Sequence, residues 1–157
     1  MPRPAKPDNE AERLRALQRY QVLDSAPEAA FDDLVAIAAA ICGMPMGSVS
    51  LVDTDRQWFK ARLGLAESET PRDTAFCAHA ILDPQQVMVV PDARLDARLR
   101  DNPIVAGEDG IRFYAGAPLL SADGLPVGTL CVMDRQPREL QQYQLDALRA
   151  LSRQVSA

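Results

Sequence analysis

The stretch IRFYAGAPLLSADGLPVGTLCVMD, residues 111–134, predicts a long β-hairpin. Apolar side chains recur at every second position before and after Asp123-Gly124, and a period of two is typical of β-strands. Asp123-Gly124 indicates a two-residue turn, because both central residues of such a turn must tolerate positive φ. Gly116 and Gly128 lack side chains, which favours a bulge or a close approach of another backbone. Both faces of the hairpin carry apolar residues, so we expect helices to cover one face and a loop over a pocket to cover the other.

The length and composition indicate one globular domain. A chain of 157 residues can bury a sizeable core, and 47% hydrophobic with 25% charged residues is typical of folded proteins. The net charge of −5 argues against the basic face that nucleic-acid binders need. No apolar run approaches the ~18 residues of a membrane span. We therefore expect neither a nucleic acid nor a membrane among the partners.

The cysteines indicate a reducing compartment. Cys42, Cys77 and Cys131 are odd in number, lie far apart and form no CxxC pair. This pattern predicts reduced thiols in a cytoplasmic protein rather than a disulfide framework. Cys42 falls on the apolar stripe of a predicted helix, so we expect it to be a core thiol.

The rest of the chain predicts helices near both ends and further strands between them. We expect a flexible leader over residues 1–10 and a single domain over residues 11–157. A second helix is predicted to begin at Ser25, whose side chain can cap it, and to end at Gly43. The other predicted elements are strands over 46–53, 57–63 and 87–90, a short helix over 75–82, a long loop over 94–110 and a last helix over 138–156.

The last predicted helix carries an apolar seam of Leu148, Leu151 and Val155, at steps close to a heptad. It has no Gly or Pro stop, which is typical of a helix that docks, dimerises or continues as a signalling helix in a longer protein. Leu14 and Leu17 form a matching apolar strip near the N-terminus. We therefore predict a parallel homodimer in which these helices form a bundle.

His79 is the sole histidine, and Cys77 lies two residues before it on the short predicted helix. Residues i and i+2 point to different sides of a helix, so these two side chains cannot clamp one metal ion. No Cys/His cluster has zinc-ligand spacing, and we predict neither a metal site nor a catalytic residue. A lone histidine is more often a hydrogen-bonded structural residue, with a single axial haem ligand as the alternative.

Three further residues have two interpretations each. Trp58 shares a predicted strand face with Lys60 and Arg62, so it either stacks on one of these cations or forms a wall of a ligand site. Arg112 begins the hairpin and needs a partner where it is buried, and Asp92, which follows a buried strand, can provide one. An anionic ligand is the alternative partner for Arg112.

Six segments, taken in order, resemble the GAF domain family. They are FDDLVAIAAAICGMPMGSVSLVD, QWFKARLG, ETPRDTAFCAHAIL, VVPDARLDARLRDNP, IRFYAGAPL and VGTLCVMD, and the resemblance covers nearly the whole chain. The pattern is most similar to GAF domains of bacterial sensor histidine kinases and diguanylate cyclases. This resemblance implies an α+β, PAS-like fold with a central antiparallel sheet of about six strands. It also implies N- and C-terminal helices on one face and a loop-covered pocket on the other.

Members of this family bind cyclic nucleotides, bilins, haem, iron or metabolites, so the resemblance leaves the cofactor unknown. Bilin-binding members attach the chromophore through a cysteine usually followed by histidine, whereas Cys77 is followed by Ala78. The NKFDE pattern of the cyclic-nucleotide members is absent. Cys77 matches by position one cysteine of the free methionine-(R)-sulfoxide reductases in the family. Their catalytic cysteine lies in a loop that corresponds to residues 94–111, which contain no cysteine.

The resemblance therefore implies a non-enzymatic sensory or regulatory domain that binds a small molecule and signals through a helical homodimer to a downstream kinase or cyclase domain. A thiol-dependent sulfoxide reductase is one alternative, and a dimerisation module with a vestigial pocket is the other. The residues that we expect to contact the ligand are Phe76, Cys77, His79, Ile81, Arg112 and Tyr114, with Trp58 and Asp92 as further contacts.

Overall fold

In the computed structural model, which describes residues 3–156, helices pack on both faces of an antiparallel sheet. The helices are α1 (Glu10–Arg19), α2 (Ala29–Cys42), α3 (Phe76–Ala80) and α4 (Gln142–Ser156). The strands are β1 (Met46–Val52), β2 (Arg56–Leu63), β3 (Glu69–Pro71), β4 (Met88–Val90), β5 (Phe113–Leu120) and β6 (Pro126–Asp134). They form a six-stranded sheet in the order β3-β2-β1-β6-β5-β4, and the predicted α+β fold around an antiparallel sheet of about six strands is confirmed.

The predicted hairpin is formed by β5 and β6, which pair along their full length near the middle of the sheet. Its turn differs from the two-residue turn that was predicted, because it spans residues 121–125 and only Gly124 within it takes a positive φ, of 80°. The carbonyl of Ser121 accepts a hydrogen bond from the Gly124 N–H at 2.9 Å, and its hydroxyl accepts one from the Leu125 N–H at 3.1 Å. Ser121 therefore forms the hydrogen bonds that close the turn predicted at Asp123-Gly124.

Two glycines of the hairpin lie where there is no room for a side chain. A Cβ at Gly128 would lie 1.9 Å from the carbonyl oxygen of Ser50 in the neighbouring strand. A Cβ at Gly116 would lie 2.2 Å from the hydroxyl oxygen of Tyr114. The predicted close backbone approach is confirmed at Gly128, whereas the neighbour of Gly116 is a side chain.

Helices α1, α2 and α4 cover one face of the sheet and bury the larger part of the core with it. Leu17 of α1, Val35 of α2 and Leu148 of α4 all have 2% or less of their surface exposed. Cys42 is 2% exposed in the same core, which confirms the prediction of a core thiol. The core on this face is continuous from α1 to α4, so the two terminal helices share packing partners.

The other face of the sheet is covered by α3 and by the connection between β4 and β5, residues 91–112. Phe76 of α3 and the loop residues Leu99 and Val105 pack there against Tyr114 and Met133 of the hairpin. These loop residues are 1% exposed or less, so the connection carries its own part of the core. The expected arrangement, with helices on one face and a loop on the other, is therefore confirmed.

Both α2 and α4 begin later than predicted. The Ser25 hydroxyl does not cap α2, because it donates to a carbonyl oxygen and accepts from the ammonium of Lys60, and the helix begins at Ala29. Arg138 precedes α4, and its guanidinium donates to the Asp134 carboxylate at the end of β6 at 2.7 Å. Ser25 and Arg138 thus bind side chains of the sheet, and the segments that precede the two helices lie against the sheet in a non-helical conformation.

A buried ion-pair network fixes α1 to the sheet. Arg13 of α1 is completely buried and donates to the carbonyl of Val52 at 2.6 Å and to the Glu10 carboxylate at 2.6 Å. Arg72, which follows β3, donates to both oxygens of Glu10, at 2.6 and 3.0 Å. Burial by itself would raise the pKa of Glu10, but hydrogen bonds and charge from Arg72 and Arg13 lower it to about 2. Glu10 is therefore ionised at every physiological pH.

The N-terminal segment is described from Arg3 onward. Met1 and Pro2, which belong to the predicted flexible leader, lie outside the described residues. Arg3 forms an exposed ion pair with Asp73, with 3.5 Å between nitrogen and oxygen. Among the described residues, the helices are all too short or too polar to cross a membrane.

Candidate ligand-binding site

A cavity of about 570 Å³ lies between the sheet and the connection that joins β4 to β5. Its walls come from β2, the β2–β3 connection, α3, the hairpin and residues 103–111. Apolar walls with a few converging polar groups are the usual form of a small-molecule site. The apolar lining includes Phe59, Leu65, Phe76, Ile104, Ile111, Tyr114 and Met133, and the polar lining includes Gln57, Thr70 and Thr74.

The floor of the cavity is formed by Tyr114 of β5 and Cys131 of β6. The ring of Tyr114 meets that of Phe76 edge to face, with 5.3 Å between the ring centroids. Behind the floor, Cys131 Sγ lies 3.0 Å from Ser48 Oγ, and the Tyr114 hydroxyl lies 3.4 Å from Thr129 Oγ1. Two polar groups of the floor are thus held by hydroxyls on neighbouring strands, which fixes their positions before any ligand arrives.

Arg112 gives the loop over the cavity its shape. The residue is 8% exposed, and its guanidinium donates to the backbone carbonyls of Val105 and Gly107. Asn102 holds the same loop against the segment that precedes α3, because its side chain donates to the carbonyl of Thr74 at 2.9 Å. A buried arginine needs acceptors, and here the acceptors are carbonyl groups of the loop rather than a carboxylate.

The predicted ion pair between Asp92 and Arg112 is therefore wrong, because each residue has another partner. The Asp92 carboxylate accepts instead from Arg94, at 2.7 Å. Hydrogen bonds from Arg94 hold the pKa of Asp92 below its usual range, and the charge of Arg112 adds to this effect. Arg112 thus lies within electrostatic reach of Asp92, while its N–H groups bind the loop.

Cys77 is completely buried behind the wall of the cavity. Its Sγ donates to Oε1 of Gln57 at 2.5 Å, and Gln57 in turn donates to the Thr70 hydroxyl at 2.8 Å. Burial raises the pKa of Cys77 well above its usual range, and the nearby Cys131 raises it further. Burial raises the pKa of Cys131 as well. Both thiols are therefore protonated at neutral pH, the opposite of an activated nucleophile.

His79 and Ile81 do not line this cavity. Ile81 is 1% exposed and packs with Cys77 in a separate small cluster beside α3. Burial lowers the pKa of the half-buried His79, and the charge of Arg98 lowers it further, so the imidazole is neutral at pH 7. Within residues 3–156, His, Cys, Asp and Glu side chains form no group of three or more that could hold a metal ion.

Trp58 lies on the helix-covered face of the sheet, away from the cavity, and is 8% exposed. The predicted stacking of Lys60 on Trp58 is wrong, because the ammonium of Lys60 lies over the ring of Phe31, 5.5 Å from its centroid. Of the residues expected to contact a ligand, Phe76 and Tyr114 are the two that line the cavity.

Several lining residues were missed by the sequence analysis, and one pattern could have found two of them. Gln57 and Phe59 alternate with Trp58 and Lys60 along β2, and a strand presents alternate residues to opposite faces. With Trp58 and Lys60 in the helix-side core, Gln57 and Phe59 must point toward the cavity. No local pattern marks Thr74, because its place in the lining depends on how α3 docks.

The mouth of the cavity carries three exposed carboxylates, here called the mouth carboxylates: Glu67, Glu108 and Asp109. Arg135 is the arginine of the lining, and its Nε donates to the backbone carbonyl of Asp109 at 3.0 Å. Three carboxylates face one guanidinium, so the mouth carries a net negative charge.

Two of the residues predicted for a dimer interface are used inside the protomer. Leu17 is 1% exposed and Leu148 is completely buried, so neither has surface left for a partner. Leu14, Leu151 and Val155 are only partly buried. Apolar side chains that α2 and α4 expose are Ile37, Ile41 and Tyr143.

The chain is similar to known proteins both in sequence and in fold. The family model described as GAF domain matches residues 26–157. A cyclic di-GMP phosphodiesterase of Pseudomonas aeruginosa is 45% identical over 138 residues, which are 88% of this chain and 23% of that protein. The chain thus spans about a quarter of the length of this curated relative.

Solved structures share the fold at low sequence identity. The GAF domain of an Acinetobacter phosphoenolpyruvate-protein phosphotransferase superposes with a TM-score of 0.66 at 20% identity, covering 95% of this chain and 91% of that one. A free methionine-R-sulfoxide reductase of Neisseria meningitidis, solved with its substrate, gives a TM-score of 0.62 at 21% identity, covering 95% and 89%. At such identities the similarity shows the fold alone.

Proposed function

The chain belongs to the GAF domain family, and from this premise we propose that it is a non-enzymatic sensory or regulatory domain that binds a small molecule in the cavity under residues 103–111. The observation that supports this proposal is the cavity itself. Its volume of about 570 Å³ lies within the range of small-molecule sites, and its apolar walls surround a few fixed polar groups.

The lining favours an uncharged or cationic ligand with a flat apolar part. The rings of Phe76 and Tyr114 provide apolar contact area, and Gln57 provides amide hydrogen-bonding groups at the wall. The guanidinium of Arg112 is occupied by loop carbonyls, so it is not available to a phosphate or carboxylate. The mouth carboxylates repel an anion further.

We propose that ligand binding regulates an output domain, such as a kinase, cyclase or phosphodiesterase. The Pseudomonas aeruginosa relative is named a cyclic di-GMP phosphodiesterase and is several times longer than the stretch that matches, which supports a regulatory setting of this kind. A homodimer formed through α2 and α4 would carry the signal, and the exposed apolar side chains Ile37 and Tyr143 support this surface.

Native mass spectrometry tests ligand binding directly. We expect purified protein to retain a small molecule that dissociates on unfolding. Ala106 lines the cavity and is exposed, so Ala106→Trp should fill the cavity without disturbing the core and should reduce the retained mass. Ala30→Trp on the exposed start of α2 is the matched control and should retain the ligand. A dimer in which none of the three proteins carries an added mass would favour the dimerisation module with a vestigial pocket.

A thiol-dependent reductase of free methionine sulfoxide is the second candidate. It is favoured by the approach of two thiols, since Cys131 lines the cavity and lies close enough to raise the pKa of Cys77. One thiol would attack the sulfoxide and take up its oxygen as a sulfenic acid, which releases methionine. The other thiol would then displace this oxygen as water and close a disulfide, which dithiothreitol would reduce again. The raised pKa values oppose this chemistry at neutral pH, because the thiolate is the nucleophile.

The reductase candidate is tested by incubating the protein with free methionine sulfoxide and dithiothreitol. We expect no turnover above the background reaction of the dithiol. Turnover that disappears in Cys77→Ser but persists in Cys42→Ser would replace the sensory function by the enzymatic one. Cys42 is the suitable control because it is buried on the opposite face of the sheet.

A further inference from the structure

A second cavity, of about 270 Å³, lies on the helix-covered face of the sheet and shares no lining residue with the first. Residues 20–28, which join α1 to α2 and are here called the strap, form one side of it. Its apolar lining comes from both terminal helices, from α2 and from the three strands β1, β5 and β6. That lining includes Leu17, Phe31, Val49, Leu51, Val127 and Val155.

One end of this apolar cavity is polar and contains a buried ammonium group. The side chain of Lys60 is 1% exposed, and its Nζ donates to Ser25 Oγ at 2.7 Å and to the Ala26 carbonyl at 2.6 Å. Its counter-ion is Glu28, with 2.6 Å between nitrogen and oxygen. A buried cation needs such partners, because removal of the ammonium from water is costly.

The counter-ion is the exchangeable part of this arrangement. The Glu28 side chain is 59% exposed, so it can turn into water at little cost, whereas the other two acceptors are a half-buried hydroxyl and a backbone carbonyl of the strap. Lys60, Ser25 and Glu28 all line the cavity. A carboxylate that arrives along the cavity edge can therefore take the place of Glu28 on the ammonium and keep the charge of Lys60 neutralised.

The strap has an unusual backbone. Gln21 and Asp24 have φ values of 51° and 61°, and among residues 3–156 no other non-glycine residue has a positive φ. Such conformations are unfavourable for residues other than glycine and persist where the surroundings hold them. Arg56 supplies part of that hold by donating to the Asp24 carboxylate at 2.7 Å. The strap is thus held over the cavity by side chains of β2.

We propose that this cavity is a second ligand site, for a small carboxylate that carries an apolar ring or chain. The carboxylate binds Lys60 in exchange for Glu28, and the apolar part fills the space against Leu51 and Val127. A cavity of about 150 Å³ is enough to bind benzene, so the larger volume here admits a ring with a short chain. An amine would meet the charge of Lys60, and a neutral molecule would gain nothing from it.

This site goes beyond the proposed sensing in the first cavity and is independent of it. Its lining includes Leu17 of α1, Tyr20 of the strap and Val155 of α4, so one molecule would contact both terminal helices. A ligand here would therefore stabilise the packing of both terminal helices on the sheet.

The test uses 4-phenylbutyrate and its uncharged amide, 4-phenylbutyramide, as matched probes. Binding is followed by NMR of the methyl groups of valine, leucine, isoleucine and methionine. We expect the carboxylate to bind about tenfold more tightly than the amide, the usual scale for one charged hydrogen-bonded contact. Methyl shifts should be largest at Val127 and Val155.

Three variants separate recognition by Lys60 from general apolar binding. Glu28→Gln removes the competing carboxylate, so it should tighten 4-phenylbutyrate binding by roughly threefold or more and leave the amide unchanged. Lys60→Met should make the two probes equal. Glu139→Gln, an exposed change of the same kind outside the cavity, should alter neither. Circular dichroism checks the folding of Lys60→Met, and the comparison of Glu28→Gln with Glu139→Gln is decisive without it.

Equal affinity of the two probes in the unchanged protein would overturn the proposal, as would absence of binding. So would an unchanged affinity in Glu28→Gln. Methyl shifts confined to Met133, Ile111 and their neighbours would place the probe in the first cavity, which would overturn the second site while leaving the sensory function intact.

Discussion

The thiol of Cys77 donates a 2.5 Å hydrogen bond to Oε1 of Gln57, and this completely buried side chain lies directly behind the wall of the first cavity. Burial and the neighbouring Cys131 raise the pKa of Cys77. We therefore expect iodoacetamide at pH 7.5 to modify Cys77 and Cys131 at least about tenfold more slowly than in the unfolded chain, because the thiolate is scarce and inaccessible. Peptide mass spectrometry at timed intervals measures the rates.

The same experiment has its control in urea, where all three cysteines should react at one common rate. Burial raises the pKa of Cys77 and Cys131 in the folded protein, so the stabilisation that depends on neutral thiols is complete below the pKa of a thiol in the unfolded chain. This stabilisation should be lost as the pH rises through the folded-state pKa values. Modification of Cys77 in native protein as fast as in urea would contradict the buried thiol.

The second prediction concerns the network that fixes α1. Glu10→Gln should lower the free energy of unfolding at pH 7 by about 2 kcal/mol, because Arg13 and Arg72 lose their shared carboxylate while they remain buried. Glu12→Gln, an exposed change in the same helical turn, should have almost no effect. Urea unfolding followed by circular dichroism measures both.

The pH dependence of that difference follows from the pKa of Glu10, which falls from 4.5 to about 2 on folding. A lowered folded-state pKa means that the stabilisation is complete above about pH 4.5 and is lost as the pH falls toward 2. The gap between the native protein and Glu10→Gln should therefore shrink over this interval. A gap that stays constant down to pH 2 would contradict the assigned ion pairs.

The third prediction concerns the loop over the cavity. Arg112→Gln removes the N–H groups that bind the carbonyls of Val105 and Gly107. Amide hydrogen exchange in residues 103–111 should become roughly tenfold faster, while exchange in the hairpin stays slow. Arg100→Gln changes an exposed arginine in the same connection and should leave exchange unchanged. Equal protection in both variants would show that Arg112 does not hold the loop.

The fourth prediction separates folding from dimerisation on α4. Leu148 is completely buried, so Leu148→Glu should lower the free energy of unfolding by about 4 kcal/mol or more. Tyr143 is 60% exposed, so Tyr143→Glu should change stability by less than about 0.5 kcal/mol and weaken the proposed dimer. Thermal unfolding and light scattering read the two effects separately. Gln154→Glu serves as the control for an added charge on the same helix. A strictly monomeric protein at high concentration would contradict the dimer.

The sequence by itself determined the hairpin, because the alternation of side chains and the glycines at close approaches are local properties of the chain. The six-stranded sheet around the hairpin was implied by the resemblance to the GAF domain family. Gly128 is an example of such a glycine, since the absence of a side chain predicted a bulge or a close backbone approach, and the fold brings the carbonyl of Ser50 against it. The helical stripe that contains Cys42 was determined in the same way, because its apolar spacing requires a buried face.

Only the tertiary structure decided which side chains reach the cavity and which partners the charges find. Helix α3 has five residues, so its sequence does not fix its rotation, and docking against the sheet turned Phe76 toward the cavity and Cys77 away from it. Arg112 found loop carbonyls instead of Asp92, because the loop that supplies them folds back only when its own apolar residues pack. Leu148 was predicted to lie in a dimer interface, but it packs on the protomer's own sheet. An apolar helix face has the same sequence pattern whether the protomer's own sheet or a second subunit covers it.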